Sequence, residues 1–336
     1  MKNIVIIGAG MISKSHAAAI KSNPNAKLCA IVDINESAAK KFAIEYECDY
    51  FTSVEDMFES LKPDAAIICL PTFLHEKYVI LCAQHKVNVL CEKPVEMTVE
   101  ATENMLDAVK KSGIIFMVAQ VVRFWPGYVE IKEMADSGQL GDIYMAYASR
   151  CSVMQIWGNT WLCDPEKGAG AIQDMHVHDI DYLRYLCGEI DTVYCLANKD
   201  YTGCYNHAMS SLTFKNGQKA VAEAAFTMKE GYPFTMLLKI AATKATVEFH
   251  YRAGYSIGDR DEIDTELRIY REGIQPEIIK PKQYDPYTKQ FEYFLSCLEN
   301  NEQPKIVPHE QNLDVIKAVC AIRESAEINK VIIINK

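Results

Sequence analysis

The sequence predicts an α/β protein: a parallel sheet wrapped by helices in its first third, then a second domain built on an antiparallel sheet. Three observations predict it. Short, nearly continuous apolar runs alternate with helix-length segments as far as Ala119. From Ile143 the runs lengthen and begin to alternate apolar with polar residues. A glycine turn, Gly8-Ala9-Gly10, stands directly between the first apolar run and the first helical segment.

In order, residues 4–7, 28–32, 65–70, 87–91 and 114–119 read as strands covered on both faces, because a half-exposed strand would alternate. Residues 13–21, 36–46, 54–61, 76–85 and 99–112 read as the helices between them. Strand followed by helix, repeated, is the signature of right-handed crossovers in a parallel sheet. In the second region 143–149, 192–197, 207–214, 219–227, 234–241 and 246–249 read as strands, and Asn216-Gly217 signals a hairpin. Helices are expected at 171–186, 287–300 and 310–329, with a last strand at 331–334. There is no repeat and no low-complexity linker. The domains are therefore expected at 1–121 and 122–336, with the last helix able to pack back on the first domain.

The chain has 336 residues, 49% hydrophobic and 24% charged, which is the balance of a globular protein too long for one core. Lys+Arg of 35 against Asp+Glu of 45 gives a net charge of −10, without long like-charge blocks. That excludes a basic surface for nucleic acid and offers nothing to an anionic membrane. No run of about 20 apolar residues predicts a spanning helix. Lys2 and the short run after it do not read as a secretory signal. The 12 cysteines are scattered without a CxxC pair, so they read as reduced thiols and not as zinc ligands. The expected compartment is the cytoplasm.

Gly8-Ala9-Gly10-Met11-Ile12-Ser13 follows a strand and opens a helix. Gly8 permits the tight turn, and Gly10 lets the backbone approach a pyrophosphate seated on the positive end of the helix. Ser13 takes the third glycine's place, where a small residue is needed for packing. Alone, such a turn is only a strand–helix connection. Asp33, at the end of the next apolar run, lies about 20 residues on, as a dinucleotide fingerprint requires. Its carboxylate can accept from both ribose hydroxyls and would repel a 2′-phosphate, and Ile34-Asn35 bring no cation to neutralise one. NAD is therefore expected over NADP, with Gly8, Gly10, Met11, Ile12 and Asp33 at the cofactor.

Further motifs follow in order: Cys69-Leu70-Pro71-Thr72 with His75, Leu90-Cys91-Glu92-Lys93-Pro94, and Gly168-Ala169-Gly170-Ala171-Ile172-Gln173-Asp174 leading into Met175-His176-Val177-His178-Asp179-Ile180-Asp181. Together they resemble the glucose–fructose oxidoreductase / inositol dehydrogenase family, Gfo/Idh/MocA, over the full length of the chain. The resemblance implies an N-terminal Rossmann domain and a C-terminal α/β domain with a large, mainly antiparallel sheet. It implies that Lys93 is the active-site lysine, with Asp174 and His178 its partners from the second domain. Pro71, Thr72, His75 and Glu92 would line the nicotinamide side, and Arg123 would open the second domain. Two residues depart from the family pattern. Phe73 stands where many members carry asparagine, and His176 replaces a small or apolar residue.

The chemistry can also be read from the residues. Oxidising a secondary alcohol takes a hydride from carbon and a proton from oxygen, so a base must stand near the hydroxyl. Asp174 and His178 are four apart and share a helix face, which Asp181 joins. Histidine titrates near ~6.5 and lysine near ~10.4, so His178 is the easier proton acceptor and Lys93 the cation for the developing alkoxide. A lysine with a lowered pKa could exchange these roles. Pro94 fixes the backbone after Lys93, through either a trans or a cis peptide bond. His176 and His178 point in different directions on a helix, so no metal site is expected, and His176 is assigned to packing or a pocket hydrogen bond. Asn159 and Trp161 are candidates for the substrate pocket, as is Arg123.

The expected function is an NAD-dependent dehydrogenase acting on a polyol, inositol or sugar derivative. The alternatives are an NAD-dependent glycosidase working by transient oxidation and elimination, and a non-enzymatic NAD-binding sensor. The open face of the second sheet is expected to pair copies into a homodimer or homotetramer.

Overall fold

The apolar run that opens the chain is sealed on both sides: Ile4, Val5 and Ile6 have no exposed surface and Ile7 is 2% exposed. Each isoleucine so buried contributes about 1.5–3 kcal/mol. The computed structural model describes residues 1–154, 160–168, 170–253 and 263–334. Its contacts divide the chain into two units, Met1–Phe124 with Tyr284–Leu313, and Trp125–Gln283 with Asp314–Lys336.

The first unit runs β1 (Lys2–Ile7), α1 (Met11–Lys21), β2 (Ala26–Val32), α2 (Glu36–Tyr46), β3 (Asp49–Phe51), α3 (Val54–Ser60), β4 (Ala65–Ile68), α4 (His75–Gln84), β5 (Asn88–Cys91), α5 (Val99–Ser112) and β6 (Phe116–Val118). The sheet order is β3-β2-β1-β4-β5-β6 with every pairing parallel. The connection therefore reverses direction between β1 and β4, and the crevice beyond their C-terminal ends is where such sheets take ligands. The edge strand β3 was not predicted, because three exposed or half-buried residues make no apolar run.

Asn35, Ser53 and Thr98 cap α2, α3 and α5 with side-chain acceptors. By contrast α1 starts at Gly10 without a side-chain cap. The stretch 284–313 groups with this unit and not with the second domain, where the sequence reading put it. Its helix carries Tyr287, whose ring meets His16 of α1 edge-on at 5.8 Å between centroids. Gln303 Nε2 donates to Ile114 O at 2.8 Å.

The second unit runs α6 (Tyr128–Asp136), β7 (Ile143–Cys151), α7 (Val177–Cys187), β8 (Ile190–Lys199), β9 (Tyr205–Phe214), β10 (Lys219–Ala225), β11 (Thr235–Ala242), β12 (Thr246–Arg252), β13 (Asp264–Tyr270) and β14 (Glu277–Ile279). Then come α8 (Pro286–Asn300), which belongs to the first unit, α9 (His309–Ile328), which the division cuts, and β15 (Ile332–Ile333). The nine strands order as β14-β13-β12-β11-β7-β10-β9-β8-β15, antiparallel except for β7 beside β10. The sheet is thus large and mainly antiparallel.

Its helix-facing side is lined by small residues. Ala146, Ala148, Ala208, Ala220, Ala222 and Ala224 are all at most 2% exposed, and they let α7 lie close on the strands. Arg150 on β7 then pins that helix: its Nε and Nη2 meet the two oxygens of Asp179 at 3.1 and 3.0 Å, with both side chains buried. Removing one partner of such a buried pair costs about 3–5 kcal/mol, since the other charge is left stranded.

Candidate active site

In the first unit the motif residues gather at the C-terminal ends of β1, β2, β4 and β5. Gly8 takes φ +104°, and a Cβ there would lie 2.4 Å from the Cys69 carbonyl oxygen. Only glycine fits, because both the dihedral and the space exclude a side chain. Gly10 differs. It is exposed, and a Cβ there would meet nothing within 4 Å. The protein's own packing does not require glycine at that point. Met11 and Ile12 follow as the first residues of α1, Met11 53% exposed. The uncapped amides of that first turn are donors suited to an anion.

Asp33 stands one residue beyond β2. Its Oδ2 accepts the Ala9 N–H at 2.7 Å and its Oδ1 the Asn35 N–H at 2.8 Å. The carboxylate thus ties the glycine turn to the β2 end. Each oxygen keeps a second lone pair for a hydroxyl donor.

Beyond β4 and β5 two loops are stitched together by His75. Its Nδ1 faces the Pro94 oxygen at 2.9 Å, and its Nε2 faces the Leu70 oxygen at 2.9 Å. The ring has no exposed surface, and burial pushes its pKa down despite the carbonyls around it. His75 therefore sits between the two loops with its ring buried. Thr72 and Glu92 are also buried, at 2% and 6%, while Pro71 and Lys93 are half-buried. The Lys93–Pro94 peptide bond is cis.

Arg123 is buried in the first unit. Its Nη1 donates to Ile306 O and Gln311 Oε1, both at 2.6 Å, and the side chain is 3% exposed. Through these contacts it clamps the α8–α9 connection.

In the second unit Gly170 takes φ +71°, and its Cβ would strike Asn206 Oδ1 at 2.5 Å. Asn206 is fully buried, accepts the Ala171 N–H at 3.1 Å and donates to Asp200 at 2.8 Å. It anchors the start of the helical segment. The segment is not one regular helix, as the sequence reading had it: residues Ile172–His176 form a π-helical turn that runs into α7. Such turns frequently mark functional positions.

Across residues 171–183 only Asp174 and His178 escape full burial. Asp181, expected beside them, is in the core with no exposed surface. His176 is buried as well, its Nε2 2.8 Å from Ser210 Oγ on β9, so its role is packing. Trp161 is half-buried in a 3₁₀ turn (Thr160–Cys163) whose backbone lies against Gly168. Asn159 lies outside the described residues.

Sequence reasoning missed His16, Arg150, Asn206 and Ser210. The available signal for His16 was its place on the apolar face of α1 with Ser13, Ala17 and Ile20. A buried polar side chain there demands a partner.

A parallel sheet with a glycine turn at its switch point, joined to a large mainly antiparallel sheet, defines a dinucleotide-binding oxidoreductase. Comparison with known proteins agrees. The model of an oxidoreductase family with an NAD-binding Rossmann fold matches residues 2–120, and the GFO/IDH/MocA C-terminal domain matches 128–248. The chain belongs to the GFO/IDH/MocA family of oxidoreductases. It is 32% identical to the uncharacterized oxidoreductase YrbE of Bacillus subtilis over 243 residues, 68% of each chain. It is 24% identical to the inositol 2-dehydrogenase of Rhizobium meliloti over 333 residues, 96% of each chain. The crystal structure of a putative NADPH-dependent oxidoreductase from Desulfitobacterium hafniense superposes with a TM-score of 0.89 at 20% identity, covering 99% of this chain and 98% of that one.

Burial pushes the His176 imidazole down to about 4, against ~6.5 in an unfolded chain. As pH falls below ~6.5 the unfolded chain takes up a proton that the folded one refuses, so stability is lost progressively towards pH ~4, about 3 kcal/mol in all. His176→Gln keeps a donor for Ser210 but cannot titrate. Its melting temperature should fall less than that of the unaltered protein between pH ~7 and ~4.5. Parallel melting curves across that range would contradict the assignment.

Proposed function

We propose that the protein is an NAD-dependent dehydrogenase acting on a secondary alcohol carbon of a polyol, inositol or sugar derivative. The observation that carries the reading is the selective exposure of Asp174 and His178 in a segment otherwise buried from 171 to 183. A half-exposed acid and imidazole four residues apart are suited to act as a base with an orienting partner. Lys93 at the β5 end supports it, since strand ends of this sheet type carry the ligand-facing groups. Asp33 supports NAD over NADP: its carboxylate is fixed by two backbone donors, and its neighbours, 90% exposed Ile34 and Asn35, supply no cation for a 2′-phosphate.

When bound, the nicotinamide supplies the hydride acceptor. His178 takes the hydroxyl proton, and Asp174 holds the imidazole in the tautomer that can do so. Lys93 stabilises the negative charge that develops on oxygen. Pro71 and Thr72 shape the loop on the nicotinamide side, Trp161 offers a ring on which a sugar face can stack, and Asn159 is a second candidate for the substrate pocket. The test is a screen of polyols, aldoses, uronates and sugar phosphates for accumulation of NADH. Lys93→Ala and His178→Ala should each lower kcat by about 10²-fold or more while NADH still binds. Turnover of a glycoside without net NADH would favour the redox-neutral glycosidase, and no turnover at all the sensor.

We also propose that the open face of the second sheet pairs two copies of the chain, as a dimer or a dimer-based tetramer. Leu196, Met209 and Leu237 lie in one row across that face, through register partners Leu196↔Met209, Met209↔Glu223, Glu223↔Ser149 and Ser149↔Leu237. They are 58%, 43% and 37% exposed. Light scattering at micromolar concentration should give a dimer or tetramer, and Met209→Glu should shift it towards monomer. A monomeric unaltered protein would contradict the pairing.

A further inference from the structure

The chemistry above leaves a fully buried histidine of the cofactor-binding unit without a role. His16 lies in the second turn of α1 with no exposed surface. Its Nε2 is 2.7 Å from Glu92 Oε1. With the carboxylate ionised it can only accept, and the proton of this contact then sits on Nε2. The other oxygen of Glu92 accepts the backbone N–H of Lys93 at 3.1 Å. His16 Nδ1 has no hydrogen-bond partner among the described residues, and an unmet buried polar atom costs about 1–3 kcal/mol. An apolar side chain would pack there without that cost. What the imidazole adds is the contact to Glu92.

That contact joins two pieces of the site. The helix carrying His16 begins at the glycine turn, and Glu92 is the residue immediately before Lys93. We propose that His16 is a positioning residue that locks the Lys93 backbone to the helix whose N-terminus receives the pyrophosphate, so that dinucleotide binding stiffens the lysine's loop. This rests on the dehydrogenase reading and on Lys93 as its active lysine. The far side of the loop is already held: His75 Nδ1 lies 2.9 Å from Pro94 O and 3.2 Å from Val95 O. On the near side His16 and Glu92 act beside the Glu92 N–H, which donates to Ile68 O at 2.9 Å. The chain 92–95 is therefore clamped between two buried histidines, one on the helix after β1 and one on the helix after β4.

The test is hydrogen–deuterium exchange of the segment 92–95 with and without NADH, alongside an NADH titration. In the unaltered protein NADH should slow exchange of the Lys93 amide. In His16→Ala the NADH dissociation constant should stay within about threefold, but the NADH-dependent protection of that amide should disappear. On whichever alcohol the screen identifies, kcat should fall about tenfold or more with the KM for NAD nearly unchanged. His16→Gln, which restores a donor towards Glu92, should recover most of both. Glu92→Gln gives a second route should His16→Ala fail to fold. It keeps one acceptor for His16 but turns an N–H₂ towards the Lys93 N–H, so it too should lose the protection. Protection and kcat unchanged in His16→Ala would overturn the proposal, as would equal losses in NADH affinity and kcat that His16→Gln fails to rescue. If the unaltered protein does not bind NADH, the dinucleotide reading itself fails, which is a different result from any of these.

Discussion

The cofactor-binding unit depends on one close approach. The Gly8 amide donates to Val32 O at 2.7 Å, and its Cα stands where an added Cβ would be 2.4 Å from the Cys69 oxygen. This contact brings the end of β1 against the end of β4 at the place where strand order reverses. Everything nearby follows from it. The chain can leave β1 only through a turn of positive φ, the next amide falls to the Asp33 carboxylate, and α1 starts uncapped with its amides open. The path of α1 then carries His16 onto Glu92, so the geometry of the turn extends to the loop that holds Lys93.

The second unit holds an acid and a histidine half-buried on a helical segment that is otherwise core. Small residues on the sheet let α7 approach, and the Arg150–Asp179 pair fixes it there. Asn206 sets where the helical segment begins, and His176 docks on Ser210. These polar contacts are buried and specific in direction, so they set the rotation of the segment as well as its depth. Asp174 and His178 are what that rotation leaves uncovered.

Much of this was legible in the sequence, for identifiable reasons. Strands covered on both faces are continuous apolar runs, so β1, β2, β4 and β5 could be located within a few residues. The glycine turn and Asp33 have a spacing set by the length of a strand–helix–strand unit. Elements without a continuous apolar run were not legible: β3 is exposed or half-buried, and β13 buries only Leu267 and Ile269 among exposed and half-buried residues. The π-helical turn at Ile172–His176 has no compositional mark, because it arises from contacts made by Gly170, Asn206 and Ser210. The partners of Arg123, Ile306 and Gln311, were hidden for a similar reason, being far away in sequence. Pairwise burial of polar groups is a long-range property, and one sequence read by period and motif does not contain it.

As a dinucleotide site, the Gly8–Ser13 turn would depend for its shape on glycine at position 8. The most direct measurement is a fluorescence titration of NADH into the unaltered protein and into Gly8→Ala, with circular dichroism showing that the variant keeps its secondary structure. Saturable binding by the unaltered protein, weakened at least about tenfold in the folded variant, or by about 1.4 kcal/mol, is the predicted result. Equal affinity in the two folded proteins would contradict it.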